Sequence, residues 1–75
     1  MSDARMCYMI LETVTDENGN YIPCIAVEGE KGYNRTNYHW GKDLTLAKEV
    51  ATDMNTRMGI SSRDAMKIIL STMGK

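Results

Sequence analysis

The chain has 75 residues, of which 43% are hydrophobic and 25% are charged, proportions that exclude a disordered or fibrous protein and predict one small globular domain over 1–75. Its net charge of −1 excludes the strongly basic surface that phosphate-driven nucleic-acid binding normally needs, although a local basic patch stays open. No apolar run approaches the roughly 20 residues that span a bilayer, and the first residues do not resemble a cleavable signal peptide. We therefore expect a cytoplasmic protein.

The N-terminal part of the chain predicts a β-hairpin. Residues Met6–Val14 are rich in side chains that suit a pleated strand, and Tyr21–Glu28 is a second such stretch. Between them, Asn18-Gly19 is the dipeptide that best supplies the two positive φ angles of a type I′ turn. Pro23 cannot donate a ladder hydrogen bond, so the second strand should have an edge or a non-bonded position there.

The two cysteines are predicted to be buried small hydrophobic residues, because two are too few for a disulfide-stapled scaffold. In the register set by a two-residue turn, Cys24 faces Thr13 and Cys7 faces Glu30. At about 3.3 Å per residue, the cysteines would then lie roughly 20 Å apart along the ladder, which is beyond disulfide reach. We expect them to remain separate thiols.

A second tight turn is predicted between Gly29 and Gly32, followed by a third strand over Tyr33–Trp40. This strand is polar and should be short, or partly loop, because its side chains offer little apolar surface to either face of a sheet.

After Trp40 the apolar period changes from about two residues to about 3.6, which predicts a helix over Leu44–Met58. Asp43 is its expected N-cap, and Gly59 its expected left-handed stop. Ser61, with an acidic residue three positions later, predicts the start of a second helix over 62–73. The apolar stripe of the first helix comprises Ala47, Val50, Ala51, Met54 and Met58.

The order β-β-β-α-α predicts an α+β fold, in which a three-stranded antiparallel sheet is followed by two helices packed on one face. The apolar residues of the second helix cover more of its circumference than one sheet face requires. We therefore expect this helix to form a homodimer interface, since so short a chain gains stability from association. The residues expected there are Met66, Ile69, Leu70 and Met73.

No catalytic, metal or cofactor site is predicted. Zinc needs about four Cys or His ligands in paired spacing, whereas the chain offers Cys7, Cys24 and His39, which are distant from one another in sequence. A nucleophile would need a base beside it, and His39 is the sole histidine. A Cys–His pair is geometrically possible if the first or second strand lies next to the third, but we favour His39 as a half-exposed strand or loop residue. We therefore expect a protein without enzymatic activity.

The third strand carries the best candidate for a binding patch, because it interleaves aromatic and basic residues. This composition suits contacts with a protein partner and also a stacking platform for single-stranded nucleic acid. Acidic residues in the neighbouring turn could approach a basic partner. The residues predicted to bind a partner are Tyr33, Arg35, Tyr38, Trp40, Glu28 and Glu30; the nucleic-acid alternative would also use His39 and Lys42.

The C-terminal part of the chain carries a sequence resemblance over Trp40–Met73. Its pattern is W-G-K-D at Trp40 to Asp43, then Asn55, Gly59-Ile60-Ser61, Ala65, and Ile68 through Ser71 to Met73. This pattern resembles small bacterial and phage-borne proteins of unknown function. The resemblance implies a small protein that inhibits a host defence complex, as anti-CRISPR proteins do. We therefore expect a non-enzymatic protein-binding protein, with a nucleic-acid-binding or regulatory module as the alternative.

Overall fold

Three antiparallel strands precede two helices along the chain, which confirms the predicted α+β fold. The computed structural model describes residues 4–73. The expectation about a signal peptide rests partly on residues 1–3, which lie outside this range. The central strand pairs with both others, in the order β1-β2-β3. The elements are β1 (Met6–Met9), β2 (Cys24–Val27), β3 (Asn34–Arg35), α1 (Leu44–Arg57) and α2 (Ser62–Met73).

All three strands are shorter than the sequence predicts. The expected first strand, Met6–Val14, is interrupted by a turn in which the Val14 N–H donates to the Leu11 carbonyl at 3.1 Å. The expected second strand begins only at Cys24, although Tyr21 forms an isolated bridge with Thr15 nearer the hairpin tip. The third strand is reduced to two residues, as its polar composition suggested.

The predicted type I′ turn at the hairpin tip is wrong. Gly19 has φ +87°, but Asn18 does not have the positive φ that this turn requires. Instead, the Asp16 N–H bonds the Asn20 carbonyl at 2.9 Å and the Gly19 N–H bonds the Asp16 carbonyl at 3.1 Å, which closes a three-residue loop. The Asp16 carboxylate accepts the N–H groups of Asn18 and Asn20, both at 2.9 Å. These hydrogen bonds, above all the one from the Asn20 backbone, hold the pKa of the Asp16 carboxyl below its ordinary value.

The predicted register of the hairpin is also wrong. Cys24 faces Met9 and Cys7 faces Ala26, because the turn that ends at Val14 takes up extra residues on the first strand only. The two cysteines are thus diagonal neighbours on one sheet face. Such neighbours have Cα atoms about 7–8 Å apart, instead of the roughly 20 Å predicted. Both are buried free thiols in the structure, and the ground for expecting them to stay separate, their distance along the ladder, is wrong. Burial raises the pKa of each thiol.

The helices lie where the sequence places them because their ends are fixed by local contacts. Asp43 accepts the Leu46 N–H at 3.1 Å, and the Ser61 hydroxyl accepts the Asp64 N–H at 3.1 Å. Helix α1 ends at Arg57, one residue before the predicted end, and Gly59 follows with φ +83° as the expected left-handed stop.

Two apolar clusters hold the helices to the sheet. Helix α2 covers the sheet face that carries the cysteines, and Ile68 is completely buried there. Helix α1 contacts β1 but neither of the other strands, and its Ala47 and Ala51 pack with Ile10. The first cluster comprises Cys7, Met9, Val14, Ile22, Cys24, Ala26, Ile60, Ala65 and Ile68. The second cluster is formed by Ile10, Ala47 and Ala51, and four partly buried side chains pack against it: Tyr8, Tyr21, Trp40 and Leu44.

The outer edge of β1 is closed by a side chain of α1. The Glu28 N–H bonds the Arg5 carbonyl, so alternation along β1 turns the backbone groups of Tyr8 away from β2. The Asn55 amide meets both of them: its Oδ1 accepts the Tyr8 N–H at 2.7 Å, and its Nδ2 donates to the Tyr8 carbonyl at 3.0 Å. Asn55 therefore imitates a neighbouring strand and fixes α1 beside the sheet.

Candidate partner-binding surface

The aromatic and basic residues predicted to form one patch lie on different sides of the structure. Arg35 is exposed and pairs with Cys24, so it lies on the sheet face that α2 partly covers. Trp40 is half-buried and packs against Tyr8, with ring centroids 5.8 Å apart, in the cluster beside α1. Tyr33 and Tyr38 are exposed. Trp40 therefore supports the fold, while the tyrosines and Arg35 remain available to a partner.

The two acidic residues of the predicted patch also differ in their surroundings. Glu28 accepts from the Arg5 guanidinium through both carboxylate oxygens, at 3.1 and 2.9 Å, and Asp64 of α2 approaches the same guanidinium at 3.4 Å. These contacts with Arg5 hold the pKa of Glu28 below its ordinary value. Glu30 is exposed in the β2–β3 turn. Arg5, directly before β1, therefore links Glu28, directly after β2, to Asp64 of α2, and of the two predicted acidic residues Glu30 alone is without an ion pair within residues 4–73.

The Arg5–Glu28 pair predicts an acid-sensitive contribution to stability. A carboxylate whose pKa is lowered by folding stabilises the native state above its ordinary pKa, and this stabilisation is lost as the pH falls through the lowered value. We therefore expect the free energy of unfolding to fall less between pH 6 and pH 3 in Glu28→Gln than in the wild type. Urea denaturation at a series of pH values measures this difference.

Glu30→Gln is the matched control, because Glu30 makes no ion pair within residues 4–73. Its pH profile should follow that of the wild type. Identical profiles for Glu28→Gln and the wild type would show that the ion pair contributes nothing to folding.

Helix α2 exposes an apolar stripe to solvent. Met66, Leu70 and Met73 have exposed fractions of 56%, 57% and 64% and follow one another at steps of four and three residues, so they form one line. We call these three residues the α2 stripe. Ile69, expected at the same interface, is half-buried and packs against the first apolar cluster instead.

A groove runs beside the stripe between the two helices. It has a volume of about 320 Å³, and Met66 belongs to both the stripe and the groove wall. We call it the α1–α2 groove. Its lining includes Lys48, Ala51, Thr52 and Asn55 from α1, Ser62, Ala65, Met66 and Ile69 from α2, and Tyr8, Met9, Ile10 and Ile60.

Three cations border this apolar surface. Arg63 and Lys67 precede Met66 and Leu70 by three residues each, so they flank the stripe on the side opposite the groove. Both are exposed, and Lys48 lines the groove from α1. Cations therefore border this surface on both sides, although the net charge of the chain is −1. We call Lys48, Arg63 and Lys67 the basic rim.

Three acids lie on the two helices. Glu49 directly follows Lys48, is exposed and makes no ion pair within residues 4–73, whereas the other two have partners outside the rim. Asp64 approaches Arg5, and Asp53 pairs with Arg57 at 3.1 Å within α1.

Sequence reasoning missed three features of this region: the groove, the basic rim and Asn55. Asn55 follows Ala47 and Ala51 at steps of four residues, so it lies on the same buried face of α1. A polar residue on an apolar face is the signal that could have identified Asn55. The groove and rim depend on how the helices pack, which the sequence pattern does not reveal.

Within residues 4–73, no three His, Cys, Asp or Glu side chains come together as a metal-ion site. Neither helix in this part of the chain is long and apolar enough to cross a bilayer.

No protein-family model, curated protein or solved structure matches the chain. The resemblance of Trp40–Met73 to phage-borne proteins therefore stays a prediction.

Proposed function

We propose that this chain is a non-enzymatic protein-binding protein that docks its partner on the α2 stripe and the α1–α2 groove. The observation that carries the proposal is the stripe itself, because three large apolar side chains lie in line and each is more than half exposed. A contiguous apolar surface of this kind, bordered by polar residues, usually marks a protein interface.

The β2–β3 turn, which carries residues predicted from sequence, is held to the C-terminal end of α2. The Gly32 N–H donates to the Thr72 carbonyl at 3.2 Å, and the Gly29 N–H donates to the Ser71 hydroxyl at 3.0 Å. These bonds hold the turn, which includes the exposed Glu30, against the C-terminal end of α2. Tyr33 follows directly after the turn and is exposed.

An inhibitor of a host defence complex, which the sequence resemblance implies, is one form that such a binding protein takes. An inhibitor of this kind needs no catalytic group, because it acts by covering a surface of its target.

A pair of leucine variants tests the proposal. Leu70 lies in the stripe and Leu46 lies on α1 outside it, with exposed fractions of 57% and 56%. Leu70→Ser should weaken binding of a protein captured from a lysate of the source organism by about tenfold or more, as loss of an interface anchor does. Leu46→Ser should retain the captured protein, and quantitative pull-down compares the two.

Circular dichroism of both variants first establishes that they are folded. Equal capture by Leu70→Ser and the wild type would overturn the proposal, and so would equal loss in both variants.

Single-stranded nucleic-acid binding is the second candidate function, and the exposure of Tyr33 and Tyr38 near Arg35 favours it. The half-buried Trp40 weakens it, since that ring packs on Tyr8 and offers less of its face to a base. Binding of a fluorescent oligothymidine that falls steeply with added salt would support this candidate. Binding that is absent at low salt would eliminate it.

A further inference from the structure

We propose that the partner presents an acidic amphipathic helix to the α2 stripe and the α1–α2 groove. The inference rests on the proposed function, because it takes the stripe to be the docking surface. It adds the chemistry of the partner: an apolar ridge with carboxylates along its sides.

The shape of the surface favours a helix as the occupant. The groove is a concave space of about 320 Å³ between two helices, and Met66 of the stripe lines one of its walls. An amphipathic helix fills such a groove with apolar side chains spaced three and four residues apart. The flat surface of a lipid bilayer would cover the stripe but would leave the groove unfilled.

The charge of the surface selects acidic flanks. Lys48 lies in one wall of the groove, and Arg63 and Lys67 lie beyond the stripe on the other side, so cations border the apolar surface on both sides. Carboxylates placed beside an apolar ridge would reach these cations from either flank. Complementary charges at the edge of an interface raise the association rate and suppress wrong partners.

The same charges disfavour a second copy of this chain as the occupant. Two stripes can meet face to face around a twofold axis with their helices antiparallel or parallel. In the antiparallel arrangement, Arg63 and Lys67 of both copies line the same side. In the parallel arrangement, these residues approach the groove wall of the other copy, which carries Lys48. Each arrangement brings like charges together, which opposes association.

Two synthetic peptides test the inference with the full chain. Both are amphipathic helices of about 18 residues with the same leucine ridge, and the ridge is flanked by glutamates in one and by lysines in the other. Fluorescence anisotropy at about 50 mM salt should show at least tenfold tighter binding of the glutamate peptide, and this preference should shrink at about 300 mM salt.

Matched variants assign the binding to this surface. Lys67→Glu should weaken the glutamate peptide severalfold, whereas Lys42→Glu, the same charge change outside the rim, should leave it unchanged. Leu70→Ser should weaken both peptides, because it removes an apolar contact that both would use.

The outcomes separate the inference from the proposed function. Equal binding of both peptides, lost in Leu70→Ser, would overturn the acidic partner and leave the docking surface supported. Failure of both peptides to bind would overturn the inference. Light scattering that shows a dimer dissociated by Leu70→Ser would identify a second copy as the occupant and overturn it. Binding to vesicles that contain phosphatidylserine, without peptide binding, would overturn it in favour of a membrane.

Discussion

Replacing Ile68 with alanine is expected to lower the free energy of unfolding by about 2–5 kcal/mol. Ile68 is completely buried in the first apolar cluster, where α2 covers β1 and β2. Alanine removes most of this side chain and leaves a cavity, because a close-packed core relaxes only in part. Urea denaturation followed by circular dichroism measures the loss.

The loss would be a large part of the total, since a chain of 75 residues has a stability of about 4–11 kcal/mol. Leu70→Ala is the matched control, because Leu70 is on the same helix and is exposed. It should change the free energy of unfolding by about 0.5 kcal/mol or less. Equal losses at the two positions would contradict the packing of α2 on the sheet.

The helices could be predicted from the sequence because the contacts that define them are local. Asp43 caps α1 through an N–H three residues away, and Ser61 caps α2 in the same manner. Gly59 stops α1 with a backbone conformation that favours glycine. Each of these signals lies within one helical turn of the end that it marks, so the bounds are right to within one residue.

The hairpin register could not be predicted in the same way, because two successive turns together set it. Asn18-Gly19 indicates a turn at the tip, but the Asp16 carboxylate stabilises a longer loop there. The turn between Leu11 and Val14 then adds further residues to one strand, without glycine or proline to mark it. Burial of the cysteines under α2 fixes the final pairing, and this contact is distant in sequence.

The candidate surface could be predicted only in part. The excess apolar width of α2 indicated an exposed face, and Met66, Leu70 and Met73 are exposed there. The pattern could not show that Ile69 is half-buried against the first apolar cluster, because that depends on how α2 packs on the sheet. It also could not show that Glu28 is engaged by Arg5, since the two residues meet only in the folded hairpin.

Replacing Asn55 with alanine is expected to lower the free energy of unfolding by about 2–4 kcal/mol. The side chain is nearly buried and makes two hydrogen bonds to the backbone of Tyr8. Alanine leaves that N–H and that carbonyl without their partners, at a cost of about 1–3 kcal/mol for each group that stays buried. Urea denaturation measures the total, and hydrogen exchange should show faster exchange of the Tyr8 amide.

Two further variants identify the cause of this loss. Thr52→Ala alters an exposed residue on the same helix and should have an effect of about 0.5 kcal/mol or less. Asn55→Asp keeps an acceptor for the Tyr8 N–H but removes the donor to its carbonyl, so it should also destabilise the protein. If Asn55→Ala is as stable as Thr52→Ala, the amide does not close the edge of β1. If the prediction holds, Asn55→Ala should also self-associate more readily, because an open strand edge can pair with another chain.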